Sequence, residues 1–97
     1  MKTYSSQEMR TIFNKKGCFH EKKKRDHHYF FLMVDGKKTN VFTKISHSVS
    51  IQYGDWLLSR VQKQLRLQAE KDKFEKLLIC TFQGQDYIAY LKQSGYL

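Results

Sequence analysis

The sequence predicts an α+β fold: an antiparallel three-stranded sheet with helices before and after it. Three observations carry this reading. Asp35-Gly36 stands between two runs rich in aromatic and β-branched residues, a strong hairpin signal because both turn positions favour φ > 0. Apolar residues recur at helical spacing before the hairpin and again after it, but not within it. Helical and strand-like stretches are thus segregated rather than alternating, which argues for an antiparallel sheet. At 97 residues the chain is expected to form a single domain, 1–97.

Taken in order, Ser5-Ser6-Gln7-Glu8 reads as a capping box, with a serine oxygen meeting exposed amides and Glu8 reaching back. Met9, Ile12 and Phe13 follow at i, i+3 and i+4, so a helix is predicted over 6–16, ended by Lys15-Lys16 and Gly17. Cys18-Phe19-His20 reads as a short edge strand and 21–25 as a loop, because neighbouring lysines repel unless splayed into solvent or laid along a polyanion. Strands are predicted over 27–34 and 39–45. With a two-residue turn, Phe30 would face Val41 and Tyr29 would face Phe42. One face then carries His28, Phe30, Leu32, Val34, Val41 and Ile45. The other carries His27, Tyr29, Phe31, Met33, Asn40, Phe42 and Lys44. Both are apolar enough to be the core side. Beyond Gly54, Asp55 is the expected N-cap of a helix over 55–67, with Trp56, Leu58, Val61 and Leu65 packed on the sheet. Phe74, Leu77 and Leu78 have helical spacing, as do Tyr87, Ile88, Tyr90 and Leu91 after Gly84, which gives two C-terminal helices.

Composition narrows the function. The net charge is +9, of which +7 lies in residues 1–48. This asymmetry points to a polyanionic partner. Nucleic acid is favoured, because the excess sits beside aromatics and histidines. No apolar run reaches membrane-spanning length, and the first residues lack the apolar region of a signal peptide, so a cytoplasmic protein without membrane contact is expected. Cys18 and Cys80 form no Cys-x-x-Cys pair; no metal site or cofactor is expected. No Gly-rich phosphate loop, paired-carboxylate site or Ser-His-Asp pattern is recognisable.

Residues 5–67, about two-thirds of the chain, resemble HicA, a family of small toxins of type II toxin–antitoxin systems with a double-stranded-RNA-binding-domain-like fold. The family's Gly-Ser-His-His or Gly-Ser-Asn-His at the start of the second strand matches Arg25-Asp26-His27-His28. Its Asp-Gly turn matches Asp35-Gly36. Its Thr-Val-Pro-His-Pro resembles Thr43-Lys44-Ile45-Ser46-His47-Ser48, and its following Gly-started helix resembles the stretch from Gly54 to Leu67. The resemblance implies the order α-β-β-β-α, mRNA cleavage independent of the ribosome, His28 as the catalytic histidine, and a HicB-like antitoxin as partner. Two features depart from the family. Arg25 and Asp26 replace the glycine and serine, and residues 68–97 have no counterpart in a minimal HicA. That extension would cap the core, build a homodimer interface or meet another partner.

Metal-independent RNA cleavage needs a base for the 2′-OH proton and cations for the phosphate. His28 is the candidate base, with His27 or His47 assisting if the end of 39–45 lies beside the start of 27–34. Lys22, Lys23, Lys24, Arg25, His27, Lys37, Lys38, Lys44 and His47 are the candidate nucleic-acid contacts. For His28 the structural alternative is a strand-edge histidine; for His47 it is a loop residue bonding backbone. Tyr29, Phe31 and Phe42 would stack bases or, more commonly for such rings, fill the sheet core. Two function classes remain: an RNA-cleaving toxin, and a non-catalytic module that holds RNA or a ribonucleoprotein, for example as an inhibitor of an RNA-guided defence system. An acidic protein is the third kind of partner the charge would suit. Replacing Lys23, Lys24 and Arg25 together by alanine is expected to weaken RNA binding. It should flatten the logarithmic salt slope by roughly 0.7–0.9 for each phosphate that the protein ceases to neutralise. Titration at several salt concentrations measures this, and unchanged affinity would leave the basic run a solvated segment.

Overall fold

The first helix begins where its cap demands. In the computed structural model, which describes residues 3–48, 50–79 and 84–97, α1 spans Ser6–Lys15. The Ser5 hydroxyl accepts from the Glu8 amide at 3.1 Å, and the Glu8 carboxylate accepts from the Ser5 amide at 2.9 Å. Two amides that the helix cannot satisfy are thereby paired, a device worth about 1 kcal/mol. Tyr4–Ser5 just before it, β1, pairs antiparallel with Gln52–Tyr53, β5. The sequence offered no sign of this pairing, since two residues carry no periodicity. Fully buried Ser6 donates to the Ser48 carbonyl at 2.6 Å and secures the same junction.

The main sheet has the order β2-β3-β4, from Phe19–Lys24, His27–Val34 and Lys37–Ser46, all antiparallel. The stretch 21–25, expected as a loop, is instead mostly strand. Pairing with β3 places Glu21 and Lys23 on one side of the sheet and Lys22 and Lys24 on the other, so the charges are splayed without leaving the ladder. Only Arg25-Asp26 remain as a turn, with Arg25 at φ 51°. The second turn is the expected one, with Asp35 at φ 53° and Gly36 at φ 75°, the conformation in which both central residues are left-handed.

The register differs from simple counting. Val34 and Met33 pair with Lys37 and Lys38 as a two-residue turn dictates, but beyond an irregularity Phe31 pairs with Phe42 and Phe30 with Thr43. The slip is accommodated around Thr39, whose hydroxyl donates to the Leu32 carbonyl at 2.9 Å and accepts from the Val41 amide at 3.2 Å. Two extra residues on β4 bend the ladder but leave every side chain on its expected face, because the strand repeat is itself two.

Helices cover one face. Phe30, Leu32, Val41 and Ile45 meet Met9 and Phe13 of α1, and Leu58 and Val61 of α2 (Asp55–Gln64), in one buried cluster. Phe74, Leu77 and Leu78 of α3 (Lys71–Leu78), and Tyr87 and Leu91 of α4 (Gly84–Gln93), belong to the same cluster. The Tyr87 hydroxyl donates to the Leu65 carbonyl at 2.6 Å within it. Helices α3 and α4 of the C-terminal extension therefore supply core. α2 ends earlier than expected because Arg66 turns left-handed at φ 63°, while the buried Gln62 amide donates to the Leu67 carbonyl at 2.7 Å. Its N-cap is Gly54, with Asp55 inside the first turn, where a carboxylate still suits the dipole. Trp56, expected against the sheet, is 72% exposed, because it lies a half-turn from the Leu58–Val61–Leu65 stripe. Leu58→Ala is accordingly expected to cost about 2–5 kcal/mol in chemical denaturation, whereas Trp56→Ala should stay within about 0.5 kcal/mol of the parent.

Candidate functional site

His28 is the second residue of β3, and its position fixes its surroundings. It alternates onto the helix-covered face, where it is only 8% exposed, paired across the ladders with Lys23 of β2 and Ile45 of β4. A buried imidazole needs partners for both nitrogens. Nδ1 lies 2.5 Å from Oε2 of Glu21, which stands two residues along β2 on the same face. Nε2 lies 2.9 Å from Nδ1 of His47, just past the end of β4, with the two rings 5.1 Å apart and 28° from parallel. Arg10 of α1 brings a guanidinium nitrogen to 3.5 Å from the same Nε2.

These contacts order the protons. An ionised Glu21 carboxylate can only accept, so His28 Nδ1 carries hydrogen and donates to it. In the neutral ring Nε2 then accepts, from Nδ1–H of His47. This leaves Nε2 of His47 as the terminal acceptor of a chain Glu21–His28–His47 that runs from a half-buried carboxylate to an exposed imidazole. The backbone holds the end of the chain in place: the His47 amide donates to the Asp26 carbonyl at 2.8 Å, and the Ser46 amide donates to the Tyr53 hydroxyl at 2.8 Å.

The electrostatics favour a neutral terminal ring. Lys23 beside it, its partial desolvation, and the neighbouring His28 and Arg10 hold the His47 imidazolium below the ordinary histidine range, with Asp26 opposing weakly. Arg10 Nε is buried and makes no hydrogen bond among the described residues. A cationic group so placed, beside an exposed imidazole, can attract an anion.

The expected contact residues divide between the two faces. Lys23 and His47 join His28. Arg25 occupies the β2–β3 turn and lines a hollow with Lys24, His27 and Tyr29 rather than with the histidine pair. His27, Lys22, Lys24 and Lys44 point to the opposite face; at the β4 edge His27 and Lys44 also border a cleft of about 370 Å³ against α2, with Tyr53, Trp56 and Arg60. Lys37 and Lys38 stand at the far end of the hairpin, away from His28. The condition placed on His47 is met, because the end of β4 lies beside the start of β3; His27 is turned away from His28. Sequence reasoning missed Glu21 and Arg10. Glu21 falls in the stretch that reads as a loop, and the run Glu21-Lys22-Lys23-Lys24 has no apolar alternation to mark a strand face. Arg10 had no local signal, since its role comes from the docking of α1.

Among the described residues no three His, Cys, Asp or Glu side chains are grouped to hold a metal ion, and no helix is long and apolar enough to cross a membrane. The chain matches no family model, no curated protein and no solved structure. The charge argument makes a direct prediction. Followed by NMR, His47 should titrate below the ordinary value of 6.5, and Lys23→Ala should move it upward, because removing a cation relieves the protonated ring. A titration unmoved by that change would show that Lys23 does not act on His47.

Proposed function

We propose that this protein binds RNA and cleaves its backbone at the Glu21–His28–His47 chain, as an endoribonuclease of the HicA kind. The observation that carries the reading is the hydrogen-bonded chain itself, at 2.5 Å and 2.9 Å, with Arg10 and Lys23 beside it. The resemblance of residues 5–67 puts the family's catalytic histidine at His28, and the order α1-β2-β3-β4-β5-α2 is compatible with the double-stranded-RNA-binding-domain-like fold it implies, with the two-residue β5 as an addition. The net charge of +9 supplies the attraction for a polyanion.

The chemistry follows from the ordering of protons. Nε2 of His47, kept neutral by its cationic surroundings, takes the proton of a ribose 2′-OH. The 2′ oxygen forms a bond to the adjacent phosphorus, and the bond from phosphorus to the 5′ oxygen breaks. Arg10 and Lys23 offset the charge that accumulates on the phosphate oxygens. The positive charge gained by His47 is shared with His28 through the 2.9 Å contact and stabilised by Glu21. The proton then passes from the histidine pair to the departing 5′ oxygen. The products are a 2′,3′-cyclic phosphate and a 5′-hydroxyl, and atoms balance without a co-reactant. His28 acts in this scheme as the positioning and charge-sharing partner, behind an exposed His47. An antitoxin would silence the site by laying carboxylates against Arg10 and Lys23, so an acidic, HicB-like partner fits this reading.

The 8% exposure of His28 favours a second reading, in which the cluster is a structural polar network and the protein holds RNA without cutting it. Purified protein incubated with mixed RNA and chelator separates the two. Cleavage yielding cyclic phosphate ends is expected for the parent, with loss of at least about 10²-fold in His47→Ala and His28→Ala, the scale of a lost acid–base group. The rate should rise with pH through the depressed His47 value, as the base deprotonates, and Lys23→Ala should shift that rise to higher pH. Intact RNA under conditions where the protein binds it would leave only the binding function.

A further inference from the structure

The face of the sheet turned away from the helices carries a second, separate constellation. Tyr29 and Phe31 alternate onto it from β3, and Phe42 joins them from β4, directly paired with Phe31. The three rings form one patch. Phe31 and Phe42 are 5.5 Å apart between centroids, and Tyr29 lies 6.1 Å from each. The ring planes are within 35° of one another. None of the three is buried, and Phe42 is 38% exposed. Rings left on an open sheet face, when a core is available on the other side, are not explained by folding.

Their surroundings state what would cover them. Lys22 and Lys44 flank Tyr29 on the neighbouring strands. The Lys38 ammonium lies 4.2 Å from the centroid of Phe31, and that of Lys24 lies 6.0 Å from Tyr29. No carboxylate of the three strands falls on this face, because the single acid within them, Glu21, alternates to the other side. Phe42 also lines a cleft of about 420 Å³ with Asn40, Arg60, Lys63, Gln64 and Arg66, so the basic surface continues past the edge of β4. A second copy of this chain would bring the same lysines against them and is disfavoured by charge. A ligand that offers flat π-faces along a polyanionic backbone satisfies both features at once.

We propose that this open sheet face binds single-stranded RNA, with Tyr29, Phe31 and Phe42 stacking on two or three unpaired bases and Lys22, Lys24, Lys38 and Lys44 holding the phosphates between them. The proposal rests on the RNA-binding reading above and adds to it the substrate class and a surface distinct from the histidine chain. Unpaired bases are required because a duplex hides their π-faces. The platform would grip a single-stranded stretch while the neighbouring ribose-phosphate rounds the β2–β3 turn, past Lys24 and Arg25, toward His47.

The test is fluorescence anisotropy with a labelled oligouridine and with an RNA duplex of equal length, on the full chain. The parent should bind the single strand more tightly than the duplex. Phe31→Leu and Phe42→Leu should each weaken single-strand binding about tenfold and leave duplex binding unchanged. In case the leucine variants misfold, Phe42→Trp in a Trp56→Phe background reports stacking directly: its emission should be quenched by oligouridine and not by duplex. Equal affinity for the two RNAs, parent-like binding by folded ring variants, or absent quenching would each overturn the platform. Polyglutamate bound as tightly as oligouridine, and released by the same ring variants, would overturn it in favour of an acidic protein partner. The two readings fail separately. Single-strand binding without cleavage removes only the nuclease, and cleavage with indifferent ring variants removes only the platform.

Discussion

Strand β3 is hydrogen-bonded on both sides, to β2 and to β4, and its two-residue repeat assigns each of its side chains to one of two environments. Phe30 and Leu32 go under the helices. Tyr29, Phe31 and Met33 stay outside them. His28, on the buried side but near the strand's end, lies where the apolar cover runs out. Its partners are delivered by the same two ladders: Glu21 comes with the register of β2, and His47 with the end of β4. A register change of one residue in either pairing would reverse the faces and dissolve the cluster.

Burial makes the polar cluster an all-or-nothing arrangement. An imidazole on an otherwise apolar face loses solvation and must recover it through hydrogen bonds. Glu21 supplies one and His47 the other. Removing Glu21 leaves Nδ1–H of His28 without its acceptor, and removing His28 leaves a half-buried carboxylate beside the core; either change strands a polar group. The network is therefore a structural commitment that nevertheless reaches solvent at its exposed end, His47. A similar economy appears on the neighbouring strand, where buried Thr43 donates to Gln64 of α2 at 2.5 Å and ties the helix to the sheet. The C-terminal helices complete the enclosure, with Tyr87 and Phe74 filling space that the three strands and two helices would leave open.

Distribution of charge complements this division. Lysines alternate along β2, so Lys23 stands over the histidine pair while Lys22 and Lys24 belong to the aromatic face. One basic run thus serves two surfaces that meet at the Arg25-Asp26 turn. A run of like charges is tolerated in an edge strand because its side chains are splayed to opposite faces and its outer backbone edge is solvated, and lysines on such an edge also discourage pairing with another chain.

Much of this fold was legible in local patterns. The capping box at Ser5 and Glu8, the Asp35-Gly36 turn and the sorting of His28, Phe30, Leu32, Val41 and Ile45 to one face depend on neighbours within a few residues, and the sequence states them directly. Even the unforeseen slip around Thr39 preserved that sorting, because it moved the register by a full strand repeat. The rest required distant parts of the chain. Which face the helices cover was undecided, since both were apolar; the docking of α1 and α2 decided it and so left Tyr29, Phe31 and Phe42 outside. Trp56 is apolar but belongs to the wrong side of its helix. Glu21 looked like part of a repelling loop until β3 paired with it, and Arg10 is ordinary in α1 until that helix crosses the end of the sheet. The sequence by itself determined the main helices, the β3–β4 hairpin and the faces they present, though not β1, β5 or the full length of β2, because periodicity and turn chemistry act over a few neighbouring residues. The tertiary structure alone decided the meeting of Arg10, Glu21, His28 and His47, because side chains from four separate segments come within hydrogen-bonding distance only when register and helix docking are both set.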